Sequence, residues 1–243
     1  MKLTVVGCSP AWPNPGGAHS GYLVEGPGAV LLDCGPGVLG RLRRDSDGSG
    51  GWPEVDAIAI THFHLDHCGD LVPWVWGSMY RGDARARPEL WLPPDGERRL
   101  EEVGAALGFR GMFGDVFELR EYAAGRPFDA AGLSVTATPV PHYGLDAYGF
   151  RVTDGARTLA YSGDSAPGEG LQALAHEADL FVCEATLERG ELDGEPRGHL
   201  SLAEAEAAFE ASGARELLLT HRPAELPAPA RHALAHDGLV LEL

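Results

Sequence analysis

At 243 residues and 44% apolar content the chain can bury one large core, and residues 1–243 are read as one domain. A formal net charge of −17, from 36 acidic against 19 basic residues, excludes general attraction to a nucleic-acid backbone or an anionic membrane surface. No apolar run approaches membrane-spanning length, and MKLTVVGCSP turns to Gly and Pro too early for a signal peptide.

Cys8, Cys34, Cys68 and Cys183 lack CxxC spacing, so neither a zinc ribbon nor a disulfide framework is indicated. A cytoplasmic protein with reduced, partly buried thiols is expected.

In chain order, KLTVVG, GYLVEG and AVLLDCG are expected as strands, GVLGRLRR as a short helix, and Asp45 to Gly51 as a loop. VDAIAIT follows as a strand, Asp66 to about Tyr80 as a helix, ELWLP as a strand and ERRLEEVGAAL as a helix. GMFGD, residues 111–115, reads as a plain loop, with a mobile lid as the alternative. VFELREY, LSVTATPV, AYGFRVT and TLAYSG are strands, GLQALAHEA a helix, DLFVCEA a strand and SLAEAEAAFEAS a helix. ELLLT is a strand, ARHALAH a helix and LVLEL a last strand. Strands that cluster and then alternate with helices in each half predict two packed sheets with helices outside.

Ligand-type side chains sit where strands end. AIAIT runs into His62, TATPVP into His142, LAYSG into Asp164, FVC into Glu184 and LLLT into His221. A single cleft at the carboxyl edge of the strands could collect all five on rigid elements. The segment THFHLDH is the most specific signal: three imidazoles and a carboxylate within six residues are costly if buried unpaired, whereas a divalent ion turns them into favourable contacts. His62 and His64 alternate along an extended turn, while Asp66 and His67 start the next helix and point toward a second ion.

HFHLDH resembles the HxHxDH signature of the metallo-β-lactamase superfamily, and His142, Asp164 and His221 follow in that family's order. The likeness implies an α/β fold, a four-layer αββα sandwich. It implies that His62, His64 and His142 hold a first metal, that Asp66, His67 and His221 hold a second, and that Asp164 bridges them. Asp33, in LLDCG, matches a family position that hydrogen-bonds the histidine loop. Zinc is the default ion for such ligands, though Mn2+ or Fe2+ would bind similar ones.

CEAT (183–186) followed by GHLS (198–201) resembles paired motifs of ribonuclease Z and related phosphodiesterases, in which a Glu orients a His beside the scissile phosphate. Glu184 and His199 would fill those roles, giving with Asp66 the catalytic set. Ser201 and Glu204 form an S-x-x-E capping box, which places His199 just before a helix N-terminus favourable to an anion. The implied reaction is two-metal phosphodiester hydrolysis, by attack of a hydroxide shared between the ions, with Asp66 guiding the water and His199 assisting the leaving oxygen.

Ribonuclease Z itself carries a long basic arm and a basic N-terminal loop. Here CSPAWPNPGGAHSG has no Lys or Arg, and residues 69–141 are used by ordinary elements. Small cyclic-nucleotide phosphodiesterases of the superfamily are more similar in compact length, in the GCS opening and in SGYLV. A small anionic substrate such as a 3′,5′-cyclic nucleotide is therefore expected, and RNA and membrane partners are disfavoured. A homodimer is an expectation at family level. A transfer-RNA 3′ endonuclease, a carbon-ester hydrolase (thioesterase or lactonase) and a metal-bearing regulatory protein stay open.

Three weaker readings complete the survey. Arg81, Arg85 and Arg87 form either a basic patch or plain solvation. Trp74, Trp76 and Tyr80 either wall a base pocket or pack into core or an interface. His19, His176, His232 and His236 fall outside the strand-end pattern and are read as non-ligands.

Overall fold

The computed structural model describes residues 1–45, 51–81 and 87–243. The chain runs β1 (Lys2–Gly7), β2 (Gly21–Glu25), β3 (Ala29–Leu32), α1 (Val38–Asp45), β4 (Ala57–Ala59), α2 (Leu65–Cys68), α3 (Leu71–Arg81), β5 (Glu89–Leu92), α4 (Gly96–Ala106), α5 (Met112–Val116) and β6 (Glu118–Glu121). It continues through β7 (Pro127–Ala130), β8 (Leu133–Pro139), β9 (Tyr148–Thr153), β10 (Thr158–Tyr161), α6 (Glu169–Ala175), β11 (Leu180–Glu184), α7 (Leu202–Ser212), β12 (Glu216–Thr220), β13 (Ala233–Leu234) and β14 (Val240–Glu242). One sheet has the order β14-β1-β2-β3-β4-β5-β6 and the other β13-β12-β11-β10-β9-β8-β7.

Period-2 burial shows why the layers stack. Ala57 and Ala59 of β4 enter the core between the sheets with Val30, Leu32, Val135 and Phe150, while Ile58 and Ile60 point outward to Leu71, Trp74 and Val75 of α3. In the second half Leu180 and Val182 face inward, and Phe181 and Cys183 meet Leu171 and Leu174 of α6 on the outside. Strands apolar on both faces need cover on both faces, which yields the αββα order expected from the sequence.

Strand direction then sets the cleft. β3 to β6 run parallel, as do β10 to β13, and β8 shares the sense of β10 because both are antiparallel to β9. The carboxyl ends of β4, β8, β10, β11 and β12 therefore gather at one edge.

Several local expectations are corrected. ARHALAH is not a helix: Ala233 and Leu234 pair with Leu218 and Leu219 of β12, and Ala235 N–H donates to the Leu219 carbonyl at 2.7 Å. An Ala/Leu-rich string favours helix locally, but an unpaired strand edge overrides that weak preference. GMFGD is neither lid nor loop, since Met112 and Phe113 are buried in α5. The helix expected from Asp66 to Tyr80 is two helices, parted at Gly69–Asp70. Strand β7 was not anticipated. The loop expected at 45–51 falls largely on residues outside those described.

Trp74 is a core residue, edge-on to Trp52 at 5.9 Å, whereas Trp76 is 40% and Tyr80 64% exposed and both belong to the outer helical layer with Phe109. The base-pocket reading of these aromatics is thus overturned. Arg81 lies over the Trp52 ring at 5.8 Å and Arg87 donates to the carbonyls of Gly114 and Phe117; Arg85 lies outside the described residues. All four cysteines are free thiols, and among the described residues no helix is long and apolar enough to cross a membrane.

Candidate metal centre and active site

The strand ends bring seven side chains into two adjoining donor groups. His62, His64, His142 and Asp164 form one, Asp66, His67, Asp164 and His221 the other, and within each the donor atoms lie within 4.8 Å of one another. Asp164 serves both through different oxygens. Its Oδ2 lies 3.9 Å from His62 Nε2 and from His142 Nε2, and its Oδ1 lies 3.1 Å from His67 Nε2 and 3.5 Å from His221 Nε2. His221 Nε2 also lies 3.2 Å from Asp66 Oδ2, and His142 Nε2 faces His64 Nδ1 at 3.0 Å.

The outer nitrogens are held from behind. His62 Nδ1 meets Thr61 Oγ1 at 3.0 Å, His67 Nδ1 meets Asp33 Oδ2 at 2.7 Å, His142 Nδ1 meets the Gly198 carbonyl at 2.6 Å, and His221 Nδ1 meets Thr186 Oγ1 at 2.9 Å. In each contact an Nδ1–H donated outward leaves Nε2 facing the donor group, the orientation that a ligand imidazole requires. Asp33 also accepts the Thr61 N–H at 2.8 Å and the Tyr161 hydroxyl at 2.8 Å, so it orients the loop from the floor of the core without joining either donor group. Gly35 is needed behind that loop, because a Cβ there would stand 2.0 Å from the Asp66 carbonyl.

Electrostatics test whether a cation fits. Burial pushes His62, His64 and His142 down from the usual imidazole range, leaving neutral rings. Burial would raise the Asp164 carboxyl, but His221 and His67 hold it well below the usual range. Burial would likewise lower His67, yet Asp164 and Asp33 beside it keep it raised, so a proton sits where the donor set invites a cation. His62 Nε2, His67 Nε2 and Asp164 Oδ1 are buried without a properly aligned hydrogen bond. Orphaned buried donors of this kind are expensive unless a metal meets them, so the residues present fit divalent ions.

Beside the second group stands a carboxylate–imidazole pair. His199 Nδ1 lies 2.9 Å from Glu184 Oε1, and the His199 ring stacks on His221 at 5.6 Å and meets His142 edge-on at 5.0 Å. Glu184 is fully buried and also accepts Ser165 N–H at 2.8 Å and the Thr186 hydroxyl at 2.6 Å. Burial alone would lower the His199 pKa, but the Glu184 carboxylate lifts it to about 9. His199 precedes α7, whose N-cap Ser201 forms the expected capping box with Glu204.

Four residues that hold this machinery carried little sequence signal. Thr61 and Thr186 lie inside the quoted motifs THFHLDH and CEAT, and a hydroxyl one or two residues from a site residue was the available clue. Asp193 accepts the N–H groups of Gly198 at 2.7 Å and His199 at 2.9 Å and the Tyr143 hydroxyl at 2.8 Å, and so fixes the loop that carries His199. Tyr143 adopts φ 47°, a left-handed conformation unusual for a bulky residue, and its ring packs where any side chain on Gly198 would intrude, at 2.3 Å. His19, His176, His232 and His236 belong to neither donor group. His19 is nonetheless buried, with Nδ1 at 2.8 Å from the Pro10 carbonyl.

Comparison with known proteins identifies the family. Residues 29–222 match the Beta-lactamase superfamily domain. An uncharacterized protein of Mycobacterium leprae is 35% identical over 92% of this chain and 78% of its own length. The probable metallo-hydrolase YhfI of Bacillus subtilis is 30% identical over 98% of this chain and 91% of its own. In the crystal structure of YhfI the two chains superpose with a TM-score of 0.81, covering 99% of this chain and 98% of the other at 26% identity. A ribonuclease Z of Mycobacterium bovis is 28% identical over 91% of this chain and 85% of its own. The chain therefore belongs to the beta-lactamase superfamily and is a metal-dependent hydrolase.

Proposed function

We propose that the protein is a dinuclear zinc phosphodiesterase acting on a small phosphodiester, of which a 3′,5′-cyclic nucleotide is the type. His62, His64 and His142 would hold one ion, Asp66, His67 and His221 the other, with Asp164 shared. Bound there, divalent ions acidify water and neutralise charge that develops on a phosphoryl group. The observation that carries the reading is the Glu184–His199 pair, 2.9 Å apart and set against His142 and His221. With Nδ1 committed to Glu184, His199 Nε2 is left to give a proton to the departing alkoxide oxygen. Asp66, at the edge of the second donor group, accepts a hydrogen bond from the attacking water and orients it.

Charge and shape support a small substrate. The net charge of −17 opposes docking of an extended polyanion, and the loop between β1 and β2 carries no Lys or Arg to grip one. The M. bovis relative named ribonuclease Z makes transfer-RNA 3′ processing the rival activity. The test is metal analysis joined to a panel of bis(p-nitrophenyl) phosphate, cyclic AMP, a 3′-extended transfer-RNA precursor, a thioester and a lactone. Cyclic AMP hydrolysis that is lost in His199→Ala with metal content intact supports the proposal. Turnover of the thioester or lactone alone, or of the precursor alone, refutes it.

A further inference from the structure

The donor groups account for a phosphoryl group but leave the rest of a substrate without a seat. A cavity of about 440 Å3 adjoins His142, walled by Pro141, Leu145, Pro167 and Pro196, with Glu195 and Arg197 at its edge. That size suits a small molecule. The walls are fixed: Ala166 N–H donates to the Pro141 carbonyl at 2.6 Å, and Asp193 pins the loop that bears Glu195 and Arg197. Arg197 is gripped by both oxygens of Glu204, at 2.8 and 2.9 Å, so its charge is committed within the protein. Glu195 is exposed at the rim. A second phosphate placed here would meet a carboxylate and an already neutralised guanidinium. A flat uncharged ring would instead meet proline and leucine faces and could donate N–H groups to Glu195.

We propose that this cavity seats the uncharged ring of the substrate, a nucleobase, and thereby selects phosphodiesters of mononucleotide size carrying a single charge. The inference rests on the phosphodiesterase reading above.

The test uses Leu145→Asp and Glu195→Ala, both at exposed positions, in metal-loaded protein. Substrates are cyclic AMP and the same cyclic phosphate without its base, followed by phosphorus NMR; binding of a phosphorothioate analogue of cyclic AMP is read by calorimetry. Each variant is expected to raise KM for cyclic AMP about tenfold with kcat within about twofold, as for lost binding shared by ground and transition states. Analogue affinity falls in parallel, and the baseless substrate does not respond. Wild-type turnover of cyclic AMP, with KM and affinity unchanged in both variants, overturns the cavity assignment alone. Wild-type protein that hydrolyses neither cyclic phosphate overturns the phosphodiesterase reading, and this inference with it.

Discussion

Replacing Glu184 by Gln removes one charge from a side chain that is fully buried and 2.9 Å from His199 Nδ1. Burial opposes protonation of His199, and Glu184 outweighs it, raising the pKa from an ordinary 6.5 to about 9. At about 1.4 kcal/mol per pH unit, that lift corresponds to about 3 kcal/mol in favour of the charged ring. Because the pKa is higher in the folded protein, the stabilisation is complete below about pH 6.5 and vanishes as pH climbs through about 9. Glu184→Gln is expected to remove most of this increment in ion-free protein and to bring the His199 pKa well down from about 9, with Asp164 and Asp193 left to oppose burial.

Two assays follow from this. Denaturant unfolding of ion-free wild type and variant should diverge at about pH 6 and converge at about pH 10, while NMR of the imidazole protons reads the titration itself. In loaded enzyme, kcat on an alkoxide leaving group should fall by about 10²–10⁴, the usual worth of a general acid. An activated p-nitrophenolate leaving group needs little protonation and should lose far less. The reasoning fails if His199 still titrates near 9 in the variant, or if the two leaving groups suffer equally.

Asp33→Asn keeps a residue type that tolerates the φ of 59° but loses the carboxylate at 2.7 Å from His67 Nδ1; competition with a chelator should show metal affinity down by about 10–100-fold. Thr186→Val preserves shape yet strips the hydroxyl that links Glu184 and His221, and should cost about 1–3 kcal/mol by chemical denaturation, with Thr186→Ser restoring most of it. Gly198→Ala drives a Cβ into the Tyr143 ring and disturbs the carbonyl that holds His142; kcat should drop at least about tenfold while far-ultraviolet circular dichroism is unchanged. Chelation of the loaded protein should lower Tm: an ion present at about 100 times its Kd contributes about 2.7 kcal/mol, equivalent to roughly 5–10 °C for a chain of this size.

The donor residues were legible because four of them sit in one seven-residue segment and the others close apolar runs whose strand character is plain. Layer order was legible for the same reason, as in β4 and β11, which are apolar up to the end that leads into a site residue. What escaped depends on partners distant in sequence. Nothing near Asp193 announces that its carboxylate binds Tyr143, 50 residues away, or that Gly198 must lack a side chain for that ring. Strand β13 escaped because only two residues pair, at the rim of a sheet whose edge decides the matter. Trp74, Trp76 and Tyr80 follow the histidine loop closely, but α3 turns them into and over the outer layer, and sequence proximity misled.

Asp66, His67 and their neighbours hang from the first sheet, whereas His142, Asp164 and His221 hang from the second. Under the proposed assignment each ion is thus a rivet through both halves of the sandwich, one closing a chain loop from residue 62 to residue 164 and the other from residue 66 to residue 221, much as a long-range disulfide would. Loading should therefore slow amide exchange in strands such as β2 and β9, well away from the cleft, and the metal would govern how cooperatively the two halves come apart.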